Sequence, residues 1–211
     1  MGYSIDYYEP QHALEYQIPE YQINEELLYS EGAIDIEPFS QVWSMGQRIF
    51  VSGLGHYTLG HPRNATGETF FTSLHNRNAP GANVFCAVTN AHIGIVVTSQ
   101  VTAYADVAEV RVLFGRVSAA GISNFRGIPR NLDRVRSIRG VTGTVSGHIV
   151  NASGNAPGFV QMILTNESNS AGGDSGAALI RIVDNAVLGV RQARCTLSGG
   201  GLYTRVDNYV R

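Results

Sequence analysis

The sequence predicts an all-β fold, a barrel or a sandwich, on three observations. The 211 residues are 44% apolar and 15% charged, enough hydrocarbon for a large core and too little charge for a disordered polymer. There are 24 glycines beside many Val, Thr and Ile, residues that suit a pleated surface. From about residue 46 the chain breaks into short β-type runs at a spacing of roughly 8–15 residues, with Gly, Asn and Pro between them. There is no repeat and no alternation with long helices, which argues against a doubly wound α/β domain.

Taken in order, the predicted strands lie in RIFVSG, HYTLGH, TFFTSL, NVFCAVTN, GIVVTSQVTAY, VAEVRVLFGRVS, TGTVSGHIV, GFVQMILTN, GAALIRIV, NAVLGVRQARC and GLYTRV. The run PRNLDRVRSIRG, with four arginines around Asp133, is not among the predicted strands. Residues 1–45 have another texture, rich in Tyr and Glu with prolines at 10, 19 and 38, and INEELLYSE predicts one short helix. Residues 1–40 carry nine acids and no base, whereas all fifteen bases, every one an arginine, lie in 41–211 with eight acids. An acidic leader before a basic body predicts intramolecular docking of one on the other; a solvated acidic tail is the plain alternative.

Two cysteines, Cys86 and Cys195, are too few for a zinc site or a disulfide framework. No apolar stretch approaches transmembrane length, and MGYSIDYYEP lacks the basic and apolar regions of a secretory signal. The expectation is a monomer without metal or cofactor, binding neither nucleic acid nor membrane.

The chemistry concentrates in NSAGGDSGAALI, residues 169–180. Glycines on both sides of Ser175 suit a loop in which a hydroxyl and neighbouring N–H groups face one reacting atom. Upstream, His92 follows the apolar strand VFCAV and is the predicted base. The other histidines lie in the leader (His12), in turn-rich stretches (His56, His61, His75) or within a strand (His148). Asp106 opens ADVAEVRV and is preferred as the carboxylate orienting the imidazole; Asp133, among four arginines, is adequately explained as a surface ion pair.

These residues resemble the chymotrypsin-like serine peptidases, most closely their bacterial streptogrisin-type branch, over residues 46–211. VTNAHIG looks like the histidine motif, ADVAEVRV like the aspartate strand and GGDSGAAL like the serine motif. IRGVTGTVSGHIV, GFVQMILTN, AVLGVRQARC and GLYTRVDNYV are similar to the stretches around them. The resemblance implies two six-stranded antiparallel barrels, about 46–125 and 135–211, with the site between them. It implies a serine endopeptidase acting on polypeptides through His92, Asp106 and Ser175, with Gly173 and Ser175 as oxyanion donors. Asn169 would lie at the base of the primary pocket, and Val190, Arg191, Gln192 and Ala193 would pair with substrate backbone. Arg191 or Arg194, near that edge, would favour acidic or polar neighbours, although edge arginines commonly do no more than solvate.

The resemblance also favours secretion. The pattern is departed from at Ala177, Ile93 and Ala171, and the spacing from His92 to Asp106 is short. A competing register puts Val101 at the histidine position and implies an inactive homologue that binds a protein partner. GQRIFVSG resembles an activation junction, in which cleavage after Arg48 would free Ile49 to pair with Asp174.

Overall fold

The computed structural model describes residues 5–6, 41–75, 77–156, 158–195 and 199–210. INEELLYSE and most of the acidic leader lie outside them. Strands β1 (Ile5–Asp6) and β2 (Val42–Trp43) precede a six-stranded sheet. That sheet holds β3 (Arg48–Val51), β4 (Gly55–Thr58), β5 (Thr69–Thr72), β6 (Asn83–Cys86), β7 (His92–Thr102) and β8 (Ala105–Val112), in the order β4-β3-β6-β7-β8-β5. The short β9 (Arg116–Val117) pairs in parallel with β2. The second sheet holds β10 (Arg134–Arg139), β11 (Gly143–Ala156), β12 (Phe159–Thr165), β13 (Ala178–Arg181), β14 (Val187–Cys195) and β15 (Gly201–Arg205). A 3-10 turn, Val206–Asn208, is the sole helical element among the described residues.

Each sheet curls on itself. In the first, Gly60 N donates to Phe71 O (3.1 Å) and Phe71 N to His61 O (2.9 Å), so the chain leaving β4 meets β5, the far strand. In the second, β14 pairs with both β13 and β15, closing the ring β14-β13-β10-β11-β12-β15. β1 adds to the outside of β14, Ile5 opposite Cys195 and Asp6 opposite Arg194. Among the named strands, all pairings except β2–β9 are antiparallel.

The first interior is hydrocarbon: Ile49, Leu59, Phe70, Val84, Ile93 and Val110 are fully buried, and Trp43 of β2 packs among them. Trp43 Nε1 donates to Phe114 O (2.7 Å), which satisfies the one polar atom of the indole. The arginine-rich run contains β10, which is absent from the predicted strands. Val135, Ser137 and Arg139 of that strand are buried and alternate with less buried residues. Period-two burial, not composition, decided the strand.

The barrels meet where side chains are missing. Thr58 N donates to Ser175 O (2.7 Å). A Cβ on Gly60 would lie 2.4 Å from Gly176 O, and one on Gly176 would lie 2.1 Å from Thr72 Oγ1 and 2.4 Å from Thr58 O. Gly176 also has φ +93°, which an L side chain resists. At these glycines the seam is backbone against backbone, while beside them Phe71 and Val107 of the first sheet pack against Ala178, Ile180, Val190 and Tyr209.

Candidate active site

Ser175 sits half-buried at that seam, in a loop held by its neighbour. The Asp174 carboxylate is buried and accepts from Val141 N (3.1 Å), Thr142 N (3.1 Å), Thr142 Oγ1 (2.8 Å) and Ala171 N (3.0 Å). Four donors satisfy both oxygens of a buried anion, which would otherwise be costly. Gly173 has φ +95°, and a Cβ there would lie 3.0 Å from Val141 Cγ2. Asp174 N donates to Ala171 O and Gly176 N to Arg191 O. Among the described residues, the N–H groups of Gly173 and Ser175 make no hydrogen bond. Two unclaimed donors thus flank the serine.

Facing this loop is the corner of the first sheet where β5 pairs with β8. The register ends at Thr72 opposite Ala108, so Ser73, Leu74 and His75 run on beside Val107 and Asp106. Ser73 Oγ lies 3.3 Å from Asp106 Oδ2 and 2.5 Å from Gln192 Oε1. Gln192 Nε2 donates to Asp106 O (2.6 Å) and to Thr204 Oγ1 (2.8 Å), tying the aspartate to the second barrel. Tyr57 lies tilted against His75 with ring centroids 5.9 Å apart; burial raises the Tyr57 phenol pKa, Arg77 opposes that, and Asp106 is close enough to add to the rise. His75, Asp106, Ser73 and Tyr57 therefore share one neighbourhood, three residues beyond the Thr72 that touches Gly176. Burial, and then the Arg77 charge, lower the His75 pKa to about 4, so the imidazole is neutral at pH 7. Sequence reasoning missed His75, although it follows the apolar run TFFTSL just as His92 follows VFCAV.

His92 is elsewhere. It pairs with Phe85, its ring lies between Phe85 (5.0 Å) and Phe114 (5.5 Å), and its Nε2 is 3.0 Å from Gly94 O. Asp106 pairs with Val101 of the same strand; the nine residues between Val101 and His92 span roughly 30 Å of strand. The structure therefore does not bring His92 to Asp106. Val101, the histidine position of the competing register, pairs with Asp106 and is 44% exposed on β7. Asp133 is taken by Arg181 (3.2 Å) and Arg130 N (3.0 Å) in the second barrel.

The expected activation junction is corrected too. Ile49 is fully buried mid-strand between Tyr57 and Cys86, and Asp174 already has its donors without a freed amine. Of the remaining histidines, His56 lies beside the Gly173 position, tilted on Phe50. His61 is buried, with Pro62 O and Tyr209 Oη each 2.8 Å from its ring nitrogens; burial lowers its pKa to about 4.

Asn169, expected at the pocket base, has an exposed side, with its carbonyl held by Arg139. Val190 is core, Gln192 braces Asp106, and Ala193 is buried. Behind the serine loop the barrel interior is ionic, which no sequence signal announced. Glu167 Oε2 receives Arg139 Nη2 (2.8 Å), Thr165 Oγ1 (3.2 Å) and the Tyr203 hydroxyl. Arg191, 2% exposed, donates to Tyr203 Oη (3.0 Å) and Ser170 Oγ (2.8 Å). Burial works against the Arg139 cation, yet Tyr203 and Glu167 outweigh it and its pKa is raised.

No family model and no curated protein matches the chain in sequence. Solved structures do. Cellulomonas bogoriensis chymotrypsin is 21% identical over 80% of this chain and 93% of its own, with a TM-score of 0.60. Thermobifida fusca protease A is 18% identical over 80% and 94%, with a TM-score of 0.60. A glutamic-acid-specific serine protease, described as using a histidine triad in substrate binding, is 18% identical over 79% and 95%, with a TM-score of 0.62. With its two curled six-strand sheets meeting at a glycine seam, this chain has the double-barrel fold of the bacterial chymotrypsin-like serine proteases.

Proposed function

We propose that the protein is a serine endopeptidase in which Ser175 is the nucleophile, His75 the base and Asp106 the orienting carboxylate. What carries this reading is the seam: backbone contacts hold the Ser175 loop against Thr58 and Thr72, on the strand that leads directly to His75. The Ser175 hydroxyl adds to a peptide carbonyl while His75 takes its proton. The imidazolium returns the proton to the leaving amine, and water then hydrolyses the acyl-enzyme by the same relay. The N–H groups of Gly173 and Ser175 receive the oxyanion, each contributing about 2.7–4 kcal/mol. Asp106, braced by Ser73 and Gln192, fixes the imidazole tautomer. Substrate adds as a strand along β14 beyond Arg191. The pairing of Ile5–Asp6 with Arg194 and Cys195 supports docking of the leader along this edge.

A second reading, an inactive homologue that binds protein, draws support from Arg191, which fills the space behind the loop. A fluorophosphonate probe separates the two. Labelling at Ser175 that is lost in His75→Ala and kept in His92→Ala supports the peptidase. A folded protein that takes no label is the homologue.

A further inference from the structure

We propose that Arg191 makes this site select an acidic side chain on the residue whose carbonyl meets Ser175. The inference rests on the peptidase reading and adds its substrate class. Position comes first. Arg191 N donates to Ala177 O and Arg191 O accepts from Gly176 N, both at 2.9 Å, so the residue is bonded directly to the nucleophile loop. Its side chain turns inward on the side of its register partner Tyr203, with the guanidinium 5.5 Å from that ring. Gly201 makes the room, since a Cβ there would lie 2.5 Å from Arg191 Nη1. The outermost contact is Ser170 Oγ, on a half-buried residue of the loop that runs to Ser175.

Charge comes second. The cluster holds two guanidiniums, Arg139 and Arg191, and one carboxylate, Glu167. Arg139 claims that carboxylate at 2.8 Å with both side chains wholly buried, while Arg191 stays 3.7 Å away. The next acid, Asp174, has both oxygens occupied. Arg191 is thus a buried cation whose hydrogen-bond partners are two neutral hydroxyls. Two desolvated guanidiniums sharing the single Glu167 carboxylate leave the cluster one anion short, and a carboxylate entering past Ser170 supplies it in fork geometry. A site that hydrogen-bonds a substrate acid also discriminates strongly against its uncharged isostere.

Two measurements test this. In the first, acetylated peptide amides differing only in Glu or Gln at the position meeting Ser175 are titrated into the Ser175→Ala protein at pH 7. The Glu peptide should bind at least about tenfold tighter, with the preference gone in Ser175→Ala/Arg191→Met. Equal binding of the two peptides to Ser175→Ala overturns the proposal, whether or not the double variant folds. In the second, the unaltered protein is given the same sequences as substrates. Cleavage after Gln or apolar residues as readily as after Glu overturns the specificity and leaves the peptidase standing. Selective Glu binding without any cleavage supports the subsite and removes the peptidase.

Discussion

The two barrels share a strand count and a way of closing, yet they fill their interiors differently. The first is packed with Ile49, Leu59, Phe70, Val84 and Ile93, and its polar groups are pushed to the rim facing its neighbour. The second admits Arg139, Glu167, Arg191 and Gln192 into its buried set. The difference teaches where each half does its work. The first barrel is a rigid frame that offers His75 and Asp106 at one corner. The second gives up hydrocarbon behind the Ser175 loop to hold buried charge.

The largest effect that would break this picture is on turnover. His75→Ala should lower kcat by at least ~10⁴-fold, whereas His92→Ala, three strands from β4 in the sheet order, should leave peptide hydrolysis near its original rate. Comparable losses in both variants would deny the first barrel its catalytic corner.

Stability sharpens the contrast of interiors. Phe70→Ala should cost about 3–5 kcal/mol through an apolar cavity. Glu167→Gln should cost about as much for a different reason, leaving Arg139 buried without its anion. Chemical denaturation of Glu167→Gln/Arg139→Met should then show a loss smaller than the two single losses together. Strict additivity would mean the ions are not coupled.

Acid should act on the frame. His61 and His75 both have folded pKa values of about 4, set mainly by burial, against an ordinary 6.5. Protonation therefore favours the unfolded chain. Their contribution, on the order of 3 kcal/mol each, is complete above pH 6.5 and is lost as pH falls from 6.5 towards 4. Melting curves over that window should flatten in His61→Gln, and an unchanged slope would refute the assignment.

Next in size is the seam. Gly176→Ala should cost at least ~2 kcal/mol and slow hydrolysis, because the new methyl meets Thr58 O and Thr72. Wild-type melting and rates would show that the barrels have slack. The smallest effect belongs to Arg63→Ala, whose 2.7 Å pair with Glu109 is nearly half exposed on the arginine side. Its loss should move stability by less than ~1 kcal/mol.

Much of this was legible in the chain. Alternation and turn residues gave the all-β class, and the glycines around Ser175 marked a loop that must face something. Asp106 stands out in the sequence because it opens an apolar strand. His75 does not, because VFCAV–His92 and TFFTSL–His75 look alike locally. Only the pairing of β5 with β8, a contact between residues some forty positions apart, separates them. β10 was hidden by its arginines, since composition spoke louder than a period-two alternation only six residues long. Arg191 was read as an edge residue. The irregularity in register between Arg191 and Ala193 leaves Arg191, Gln192 and Ala193 all buried, so no alternation was available to announce it.

Peptide planes, rather than side chains, set the gap between the halves at Gly60 and Gly176. A spacer made of main chain has no rotamers to relax and no volume to trim. Substitutions away from the Phe71–Tyr209 cluster, which also joins the halves, can therefore reshape a wall without altering how far apart the two walls stand at those glycines.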